Sequence, residues 1–252
     1  MVDTSSHDKF FDPRTFGKRS VGVTGCGALG SKVALSLAKQ GVTNLHLRDR
    51  DKVEDHNIPG QIFWNSQARE RVPKLEAAAH IIQLATDLRP ELHSGEVESA
   101  DAEFCDVEFV CVDRMGRGTK GPGRWEIFQA LRNSISTSLV VDVRMGAAEG
   151  RIYAFNPQDP RHVARYEATI GRDEEPAEQL GVCNRNPSVG PTGDIITGIA
   201  VWQFFKWWRW WQHHFSLDES TSEQVAPPPP EFCLRFMVLP IFQFLPPETL
   251  PW

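Results

Sequence analysis

A glycine-rich segment near the start of the chain restricts the fold more than any other feature. The apolar run Val-Gly-Val at 21–23 is followed by GCGALGSKVALSLAKQG, in which Gly25, Gly27 and Gly30 have the spacing G-x-G-x-x-G. Small residues let the backbone approach a phosphate, and the next helix offers free N–H groups and the positive end of its dipole. The segment therefore predicts a strand, a phosphate-binding loop and a helix, without distinguishing a dinucleotide from ATP.

Apolar runs and helical patterns alternate along most of the chain. Strands that alternate with helices at this spacing are typical of an α/β fold, so we predict a Rossmann-like, mostly parallel sheet with helices on both faces. The predicted strands are 19–25, 44–49, 107–112, 138–143 and 150–155, and the predicted helices are 28–39, 74–86, 125–131 and 190–214.

Two later segments lack this alternation. Residues 156–187 are polar and contain several prolines, and a stretch of this length without a helix or strand is usually a functional loop or a disordered region. The four prolines at 227–230 indicate a stiff connector, and residues 232–244 have the composition of a strand. We therefore divide the chain into an N-terminal extension (1–16), a main domain (17–215) that contains a loop at 156–188, and a proline-rich tail (216–252).

Composition and charge narrow the class of protein. The net charge of -6 and the isoelectric point near 5.8 give no indication of nucleic-acid binding, which usually leaves a basic surface. The N-terminus has no apolar segment of signal-peptide length, and Lys206 and Arg209 interrupt the most apolar later stretch, 195–211. We therefore expect a cytoplasmic protein that neither binds nucleic acid nor enters a membrane.

The five cysteines do not form a C-x-x-C pair anywhere in the sequence. Their odd number and their spacing argue against a disulfide scaffold and against a four-cysteine zinc site. The adjacent His213 and His214 are also a poor chelate, because neighbouring side chains on a helix point in different directions. We therefore expect no zinc.

Two acidic residues at strand ends belong with the glycine loop. Asp49 ends the second predicted strand, 19 residues after Gly30, and Asp113 follows the strand 107–112. Ligands of open α/β sheets bind beyond the carboxyl ends of the strands, so these residues should converge on one site. A carboxylate at Asp49 suits the ribose hydroxyls of NAD and of ATP equally.

Further motifs follow the glycine loop in a fixed order. They are RDRDKVEDHNIPGQIFW (48–64), VPKLEAA (72–78), CVD (111–113), VVDVRMGAAEGRIYAF (140–155) and GVCNRNPSVGPTGDIITGIAVWQFFKW (181–207). With the glycine loop, this series resembles the ThiF, MoeB and HesA proteins and the ubiquitin-activating enzyme superfamily over residues 17–210. Members of that superfamily use ATP to adenylate the C-terminal glycine of a ubiquitin-like protein. The resemblance implies their adenylation fold for the main domain, with 156–188 as its crossover loop.

The resemblance also implies roles for individual residues. Asp49 would hold the ribose, Lys74 would neutralise the β- and γ-phosphates of ATP, and Asp113 would bind Mg²⁺. Cys183 matches the crossover-loop cysteine of bacterial relatives and could accept the activated acyl group as a thioester, with AMP as the leaving group. The expected catalytic residues are Asp113, Lys74 and Cys183, and the expected nucleotide-binding residues are Gly25, Gly27, Ala28, Gly30, Asp49, Asp51, Asn57, Gln61 and Lys74.

The sequence departs from the family at position 60. Gly60 stands where the family motif N-x-x-R-Q carries a phosphate-binding arginine, and the zinc-binding cysteine pairs of many relatives are missing. Arginine–phosphate contacts are strong when bidentate, so an uncompensated loss weakens the site. The cations that could substitute are Arg14, Arg19, Arg69, Arg71 and Arg114.

Several alternatives stay open at this point. The glycines could serve only packing, Asp51 or Asp113 could cap a local turn, and Lys74 or Cys183 could be ordinary surface residues. A non-catalytic member of the family that binds a partner, or an NAD-dependent oxidoreductase, would also fit part of the pattern. The oxidoreductase leaves several polar residues without a role, namely Asn57, Gln61, Lys74 and Asp113.

The last predicted helix points to partners. Five of the eight tryptophans lie between 202 and 211, so this helix is apolar around much of its circumference. Such a helix is buried in a core or in an interface, and we predict a homodimer, with an intrachain core helix as the alternative. The resemblance further implies a ubiquitin-like or sulfur-carrier partner, a subsequent conjugating enzyme, and a bacterial conjugation system of the kind used in antiviral defence.

Overall fold

The computed structural model describes residues 2–94, 103–116, 123–170, 190–215, 228–238 and 242–252. Within these residues, eight strands form one sheet with the order β3-β2-β1-β4-β5-β6-β7-β8. The first five strands of this order are parallel, and the last three are added antiparallel. The strands are β1 (Val21–Thr24), β2 (Leu45–Arg48), β3 (Glu91–His93), β4 (Val107–Val110), β5 (Leu139–Met145), β6 (Glu149–Phe155), β7 (Cys233–Met237) and β8 (Gln243–Phe244). The predicted α/β class with a mostly parallel, Rossmann-like sheet is confirmed.

The bounds of α4 agree with the prediction. Pro73, whose φ suits the start of a helix, precedes Lys74, and Asp87 ends the helix in the left-handed conformation with a φ of 62°.

No helix within the described residues combines the length and the apolar character needed to cross a bilayer. The helices are α1 (Pro13–Phe16), α2 (Gly30–Lys39), α3 (Asn65–Arg69), α4 (Lys74–Thr86), α5 (Arg124–Asn133), α6 (Pro160–Ile170) and α7 (Gly190–Phe215), and a 3₁₀ turn covers Asp55–Asn57.

Helices cover both faces of the sheet, as predicted. On one face, α2, α4 and α7 bury the larger core, to which α2 contributes Val33 and Leu37 at helical spacing. On the other face, α5 and α6 pack aromatic side chains on β6, and the rings of Phe155 and Tyr166 stack with centroids 4.2 Å apart. Full burial of such side chains stabilises the fold by about 1.5–3 kcal/mol each.

The N-terminal segment packs against the tryptophan-rich helix α7. Phe11 and Phe16 are both buried, and Phe16 meets the ring of Trp208 edge-to-face at 5.0 Å. Trp207 and Trp208 are buried within the chain, whereas Trp202 is 49% exposed. Part of the apolar surface of α7 is therefore an intrachain core, and the homodimer stays a prediction that concerns the exposed part.

Part of the segment 156–187 forms a helix, so the prediction of an irregular stretch was wrong there. His162, Tyr166 and Ile170 of α6 make a buried stripe at intervals of four residues. Three inward-facing positions among polar and charged neighbours are too few to stand out as a helical pattern. Residues 171–189 lie outside the described residues.

The two edges of the sheet were predicted incompletely. β3 has only three residues, all exposed, so it carries no apolar pattern that a sequence reading could detect. At the opposite edge, the segment 232–244 contains β7 and the edge strand β8, so a strand in this segment is confirmed. β7 pairs with β6, so the strand of the proline-rich tail belongs to the same sheet.

Candidate functional site

The glycine loop joins β1 to α2 at the carboxyl end of β1. Gly25 has a φ of 91°, and a Cβ there would lie 2.9 Å from the carbonyl carbon of Cys111. A Cβ on Gly30 would lie 1.7 Å from the carbonyl oxygen of Gly25. At Gly27, by contrast, a Cβ would meet no described atom within 4 Å. Packing therefore requires the first and third glycines, whereas the second faces open space that a ligand could approach.

Asp49 ties the glycine loop to the end of β2. One of its carboxylate oxygens accepts the N–H of Cys26 at 2.6 Å, and the other accepts the N–H of Asp51 at 2.8 Å. Burial raises the pKa of Asp49 above its ordinary value, although the Lys74 ammonium and the two N–H groups favour the charged form. The structure thus brings Asp49 and the glycine loop together, as the sequence predicts.

Lys74 lies in the first turn of α4 and is only 8% exposed. Its side-chain ammonium contacts Asp51 Oδ2 at 3.0 Å, and its backbone N–H donates to the backbone carbonyl of Asp51 at 2.9 Å. The charge of Lys74 also acts on the Asp49 carboxyl. Lys74 is therefore a buried cation held beside the loop, and Asp51 is the residue that positions it.

Asn57 and Gln61 lie between β2 and α3. Asn57 Oδ1 accepts the N–H of Glu54 at 2.9 Å, and its side-chain nitrogen lies 3.0 Å from His56 Nε2, so Asn57 stabilises the 3₁₀ turn. Gln61 Oε1 is buried and accepts no hydrogen bond from the described part of the chain. A buried acceptor without a donor is costly, so a ligand that donates to Gln61 would gain from it.

The first turn of α7 closes on the glycine loop and on Gly60. Lys32, in the first turn of α2, donates to the Gly190 carbonyl at 3.1 Å and pairs with Asp194 at 2.6 Å. A Cβ on Gly190 would lie 2.8 Å from the Pro59 carbonyl oxygen, so the segment with the buried Gly60 packs against the same turn. These contacts bring together the first turn of α2, the first turn of α7 and position 60, where the family carries an arginine.

Lys32 is a cation near the site that the sequence reasoning missed. Among the arginines considered as substitutes for position 60, Arg19 stacks over the ring of Trp211 at 4.4 Å. Arg14 and Arg71 each pair with an acidic neighbour. Lys32 also pairs with an acidic residue, Asp194, but unlike these three it lies in the first turn after the glycine loop. Its place in the first turn after the glycine loop is the signal that could have identified it.

Asp113 is exposed and follows β4, at the same carboxyl end of the parallel strands as the glycine loop. The chain just before it packs on the glycine loop, since a Cβ on Gly25 would lie 3.0 Å from the Val112 nitrogen. An exposed carboxylate here suits Mg²⁺, a hard ion that prefers oxygen ligands and usually binds one or two carboxylates together with phosphates. Cys183, another expected catalytic residue, lies outside the described residues.

The other four cysteines are buried, at positions 26, 105, 111 and 233. Burial raises the pKa of the Cys26 thiol well above its ordinary value and the pKa of the Cys105 thiol to about 11. Thiols of this kind are poor nucleophiles, because the thiolate is the reactive form. Cys183 is therefore the remaining candidate for a thioester.

A buried ion pair supports the strands beneath the loop. Glu108 of β4 pairs with Arg48 of β2 at 3.1 Å and accepts the Thr24 hydroxyl at 2.7 Å. A Cβ on Gly22 would lie 2.1 Å from Glu108 Oε2, so the glycine in β1 makes room for the pair. The sequence reasoning missed this pair, although a single acid inside the apolar run VEFV was its signal.

A second buried cluster is centred on Asp142 of β5. Its two carboxylate oxygens accept the Nε–H groups of Arg124 at 2.7 Å and Arg144 at 2.6 Å, and Tyr166 donates its hydroxyl at 2.9 Å. Burial alone would raise the pKa of Asp142, but the two guanidinium groups outweigh it and hold the pKa below its ordinary value. This cluster, also missed, ties α5 and α6 to the central sheet.

The sequence of this chain is similar to those of known proteins. A model described as the ThiF family matches residues 14–222. Ubiquitin-like modifier-activating enzyme 5 of Xenopus laevis is 28% identical over 214 residues, which cover 77% of this chain and 51% of the relative. The protein of the same name from Caenorhabditis elegans is 25% identical over 208 residues, which cover 75% and 48%. The chain thus spans about half the length of these relatives.

Solved structures share the fold. Escherichia coli MccB, crystallised with ATP, superposes with a TM-score of 0.63 at 11% identity and covers 95% of this chain and 67% of its own. PaaA superposes with a TM-score of 0.63 at 16% identity and covers 98% and 78%. Such identities show a common fold and leave function to the site. Because the family model spans the glycine loop, Asp49, Lys74 and Asp113 together, the chain belongs to the ThiF family.

Proposed function

We propose that the chain binds Mg-ATP at the glycine loop and adenylates the C-terminal carboxylate of a ubiquitin-like or carrier protein. One arrangement carries the proposal: Asp49 is fixed to the loop, Gly27 is open to a ligand, and the buried Lys74 lies alongside. A carboxylate for the ribose, an open backbone for the phosphates and a cation for their charge are what a nucleoside triphosphate needs.

The charged groups favour ATP over a dinucleotide. A triphosphate with its metal ion requires cations and hard oxygen ligands. Lys74 and the exposed Asp113 are suited to these two tasks, whereas a nicotinamide cofactor needs neither. The structural neighbour MccB was crystallised with ATP and with AMPCPP, which supports the use of ATP in this fold.

In the proposed reaction, a carboxylate oxygen of the substrate forms a bond to the α-phosphorus, the bond from that phosphorus to the bridging oxygen breaks, and pyrophosphate leaves. ATP supplies the adenylyl group and this leaving group. Asp49 accepts hydrogen bonds from the ribose, and Lys74 lowers the cost of charge on the phosphates. Asp113 would hold Mg²⁺, which neutralises phosphate charge.

Lys32 compensates in part for the arginine that is missing at position 60. Its ammonium is held by Asp194 and the Gly190 carbonyl, at the point where the two helix starts meet beside the glycine loop. Lysine acts as a point charge and cannot make the bidentate contact of arginine. We therefore expect the triphosphate to be held by the lysines and the loop backbone, without a guanidinium at Gly60.

The names of relatives support the substrate class. The two enzymes compared above are named for activating a ubiquitin-like modifier, and MccB was crystallised with MccA. We propose a protein or peptide C-terminus as the substrate for this chain as well. Thioester transfer through Cys183, a conjugating enzyme and a role in antiviral conjugation remain parts of the proposal, as does a homodimer that covers the exposed Trp202 of α7.

A non-catalytic family member is the second candidate, and Gly60 is the observation that favours it. Such a protein would bind nucleotide or partner without activating a carboxylate. The two candidates differ in a measurable reaction, because only an adenylating enzyme exchanges pyrophosphate into ATP.

The test is pyrophosphate–ATP exchange by the full chain with a ubiquitin-like protein that ends in glycine. We expect exchange with this protein and none when its terminal glycine is deleted. Asp113→Ala should lower the exchange rate at least about 100-fold, since the metal ligand is lost from the reacting charge. Cys183→Ala should retain exchange, because the cysteine acts after adenylation.

Asp55→Ala, in an exposed acid on the 3₁₀ turn, is the matched control and should exchange like the unaltered chain. Absence of exchange from a folded chain that binds Mg-ATP would favour the non-catalytic candidate. Full exchange by Asp113→Ala would remove that residue from the mechanism.

A further inference from the structure

A cluster of two histidines and a glutamate lies at the outer edge of the sheet, where β3 pairs with β2. The parallel register places His46 opposite Glu91 and Arg48 opposite His93. Side chains alternate between the faces of a strand, so these four residues share one face, while the buried Leu47 points to the other. None of the three ligand residues, His46, Glu91 and His93, is among those assigned to the nucleotide site above.

The potential ligand atoms are close together. His46 Nδ1 lies 3.0 Å from His93 Nε2 and 3.5 Å from Glu91 Oε2, and the three atoms fall within 4.8 Å of one another. Ligands in a tetrahedral zinc site, with bonds of about 2.0–2.1 Å, lie about 3.3 Å apart. Two imidazole nitrogens and one carboxylate oxygen also form a recognised ligand set for zinc with an open fourth position.

Asn44 determines which nitrogen of His46 faces the cluster. The Asn44 side-chain nitrogen donates to the Lys18 carbonyl at 2.9 Å, so its Oδ1 is the atom that lies 2.9 Å from His46 Nε2. An amide oxygen only accepts, so His46 Nε2 carries the proton and the neutral ring presents the Nδ1 lone pair to its neighbours. Metal-bound histidines commonly donate their other ring N–H in this way.

This tautomer leaves two acceptors facing each other. Glu91 Oε2 and His46 Nδ1 are 3.5 Å apart, and both are hydrogen-bond acceptors. If His93 Nε2 carries a proton, it can donate that proton to His46 Nδ1, but Glu91 Oε2 then still lacks a donor from this group. A cation bound among the three groups would remove the conflict. The nearby Arg48 does not supply it, because its guanidinium pairs with the buried Glu108.

We propose that His46, Glu91 and His93 bind one zinc ion or a similar divalent transition-metal ion, which fastens the short edge strand β3 to β2. On binding, His93 carries its proton on Nδ1 and offers Nε2, as His46 offers Nδ1. This proposal departs from the expectation of no zinc, which rested on the cysteines and on the adjacent His213 and His214; the ligands here are two other histidines and a glutamate. Adjacent residues on two parallel strands are distant in sequence, so the site could not be read from spacing.

The test uses the untagged full chain after removal of metals with a chelator. Zinc binding is measured by competition with a chromophoric chelator, and cobalt serves as a spectroscopic probe of four-coordinate geometry. We expect one high-affinity zinc per chain, a cobalt spectrum typical of tetrahedral sites, and a rise in Tm on addition of zinc. His93→Ala should lose this binding, and because His93 is exposed, the variant should fold normally.

Asn44 is a positioning residue, and two variants separate its orienting role from its structural one. Asn44→Ala should weaken zinc binding about 10- to 100-fold, as loss of an outer partner usually does. Asn44→Asp keeps an oxygen acceptor for His46 and should retain zinc binding, although it loses the donor to Lys18. His80→Ala, at an exposed histidine on α4, is the control and should bind zinc unchanged. Unaltered zinc affinity in His93→Ala, or no stoichiometric zinc in the unaltered chain, would overturn the proposal.

Discussion

Asp49→Ala is expected to lower the affinity of the chain for Mg-ATP at least about 100-fold, because two charge-assisted hydrogen bonds to the ribose are lost at about 1.5–3 kcal/mol each. The same carboxylate accepts the N–H groups of Cys26 and Asp51, so the substitution also releases the loop. Isothermal titration calorimetry with Mg-ATP measures the effect.

A nucleotide analogue separates ribose binding from loop positioning. The unaltered chain should bind 2′,3′-dideoxy-ATP much more weakly than ATP, whereas Asp49→Ala should bind the two nucleotides alike. Asp55→Ala provides the matched control and should behave like the unaltered chain. If Asp49→Ala still preferred ATP over the dideoxy analogue, the ribose would be held by another residue.

Asp142→Ala should lower the free energy of unfolding by about 3–5 kcal/mol, because removing one partner of a buried ionic cluster leaves its counter-charges unpaired. Here the guanidinium groups of both Arg124 and Arg144 would lose their carboxylate partner, and the Tyr166 hydroxyl would lose its acceptor. Urea unfolding followed by circular dichroism gives the free energy. Glu149→Gln, which alters an exposed contact with Arg151, is the control and should cost less than about 1 kcal/mol.

The direction of the pKa shift of Asp142 determines how the stability of the fold depends on pH. The pKa of Asp142 is held below its ordinary value of 3.8, so its ionisation stabilises the fold above that pH. This stabilisation is lost as the pH falls through the lowered pKa. Asp142→Asn should therefore lack this part of the acid destabilisation below about pH 4. An acid limb that is equally steep in Asp142→Asn would show that other carboxyl groups control it.

The fold was predictable where burial leaves a pattern. Continuous apolar runs identified the central strands, and the bounds of α4 followed from Pro73 and a row of strong helix formers. α6 and β3 were not predictable in this way. The first buries few positions among charged ones, and the second is an exposed edge strand that exists because β2 offers it a partner.

The layout of the candidate site was predictable where its residues lie in consecutive motifs, while their roles stay predictions. The glycine loop and Asp49 come together because parallel strands β1 and β2 end on the same side of the sheet, and Lys74 joins them through its contact with Asp51. Lys32 was missed, since its role depends on where the first turn of α7 folds back. The pairing of Asp49 with the loop N–H groups likewise depends on backbone geometry that residue types alone do not specify.

Calorimetric titration of the full chain with Mg-ATP and, separately, with NAD⁺ tests most directly the claim that the glycine loop serves ATP. It requires no knowledge of the partner protein. We expect saturable binding of Mg-ATP at one site per chain, weaker binding when magnesium is removed, and no saturable binding of NAD⁺. Saturable NAD⁺ binding, or a folded chain that fails to bind Mg-ATP, would contradict the claim.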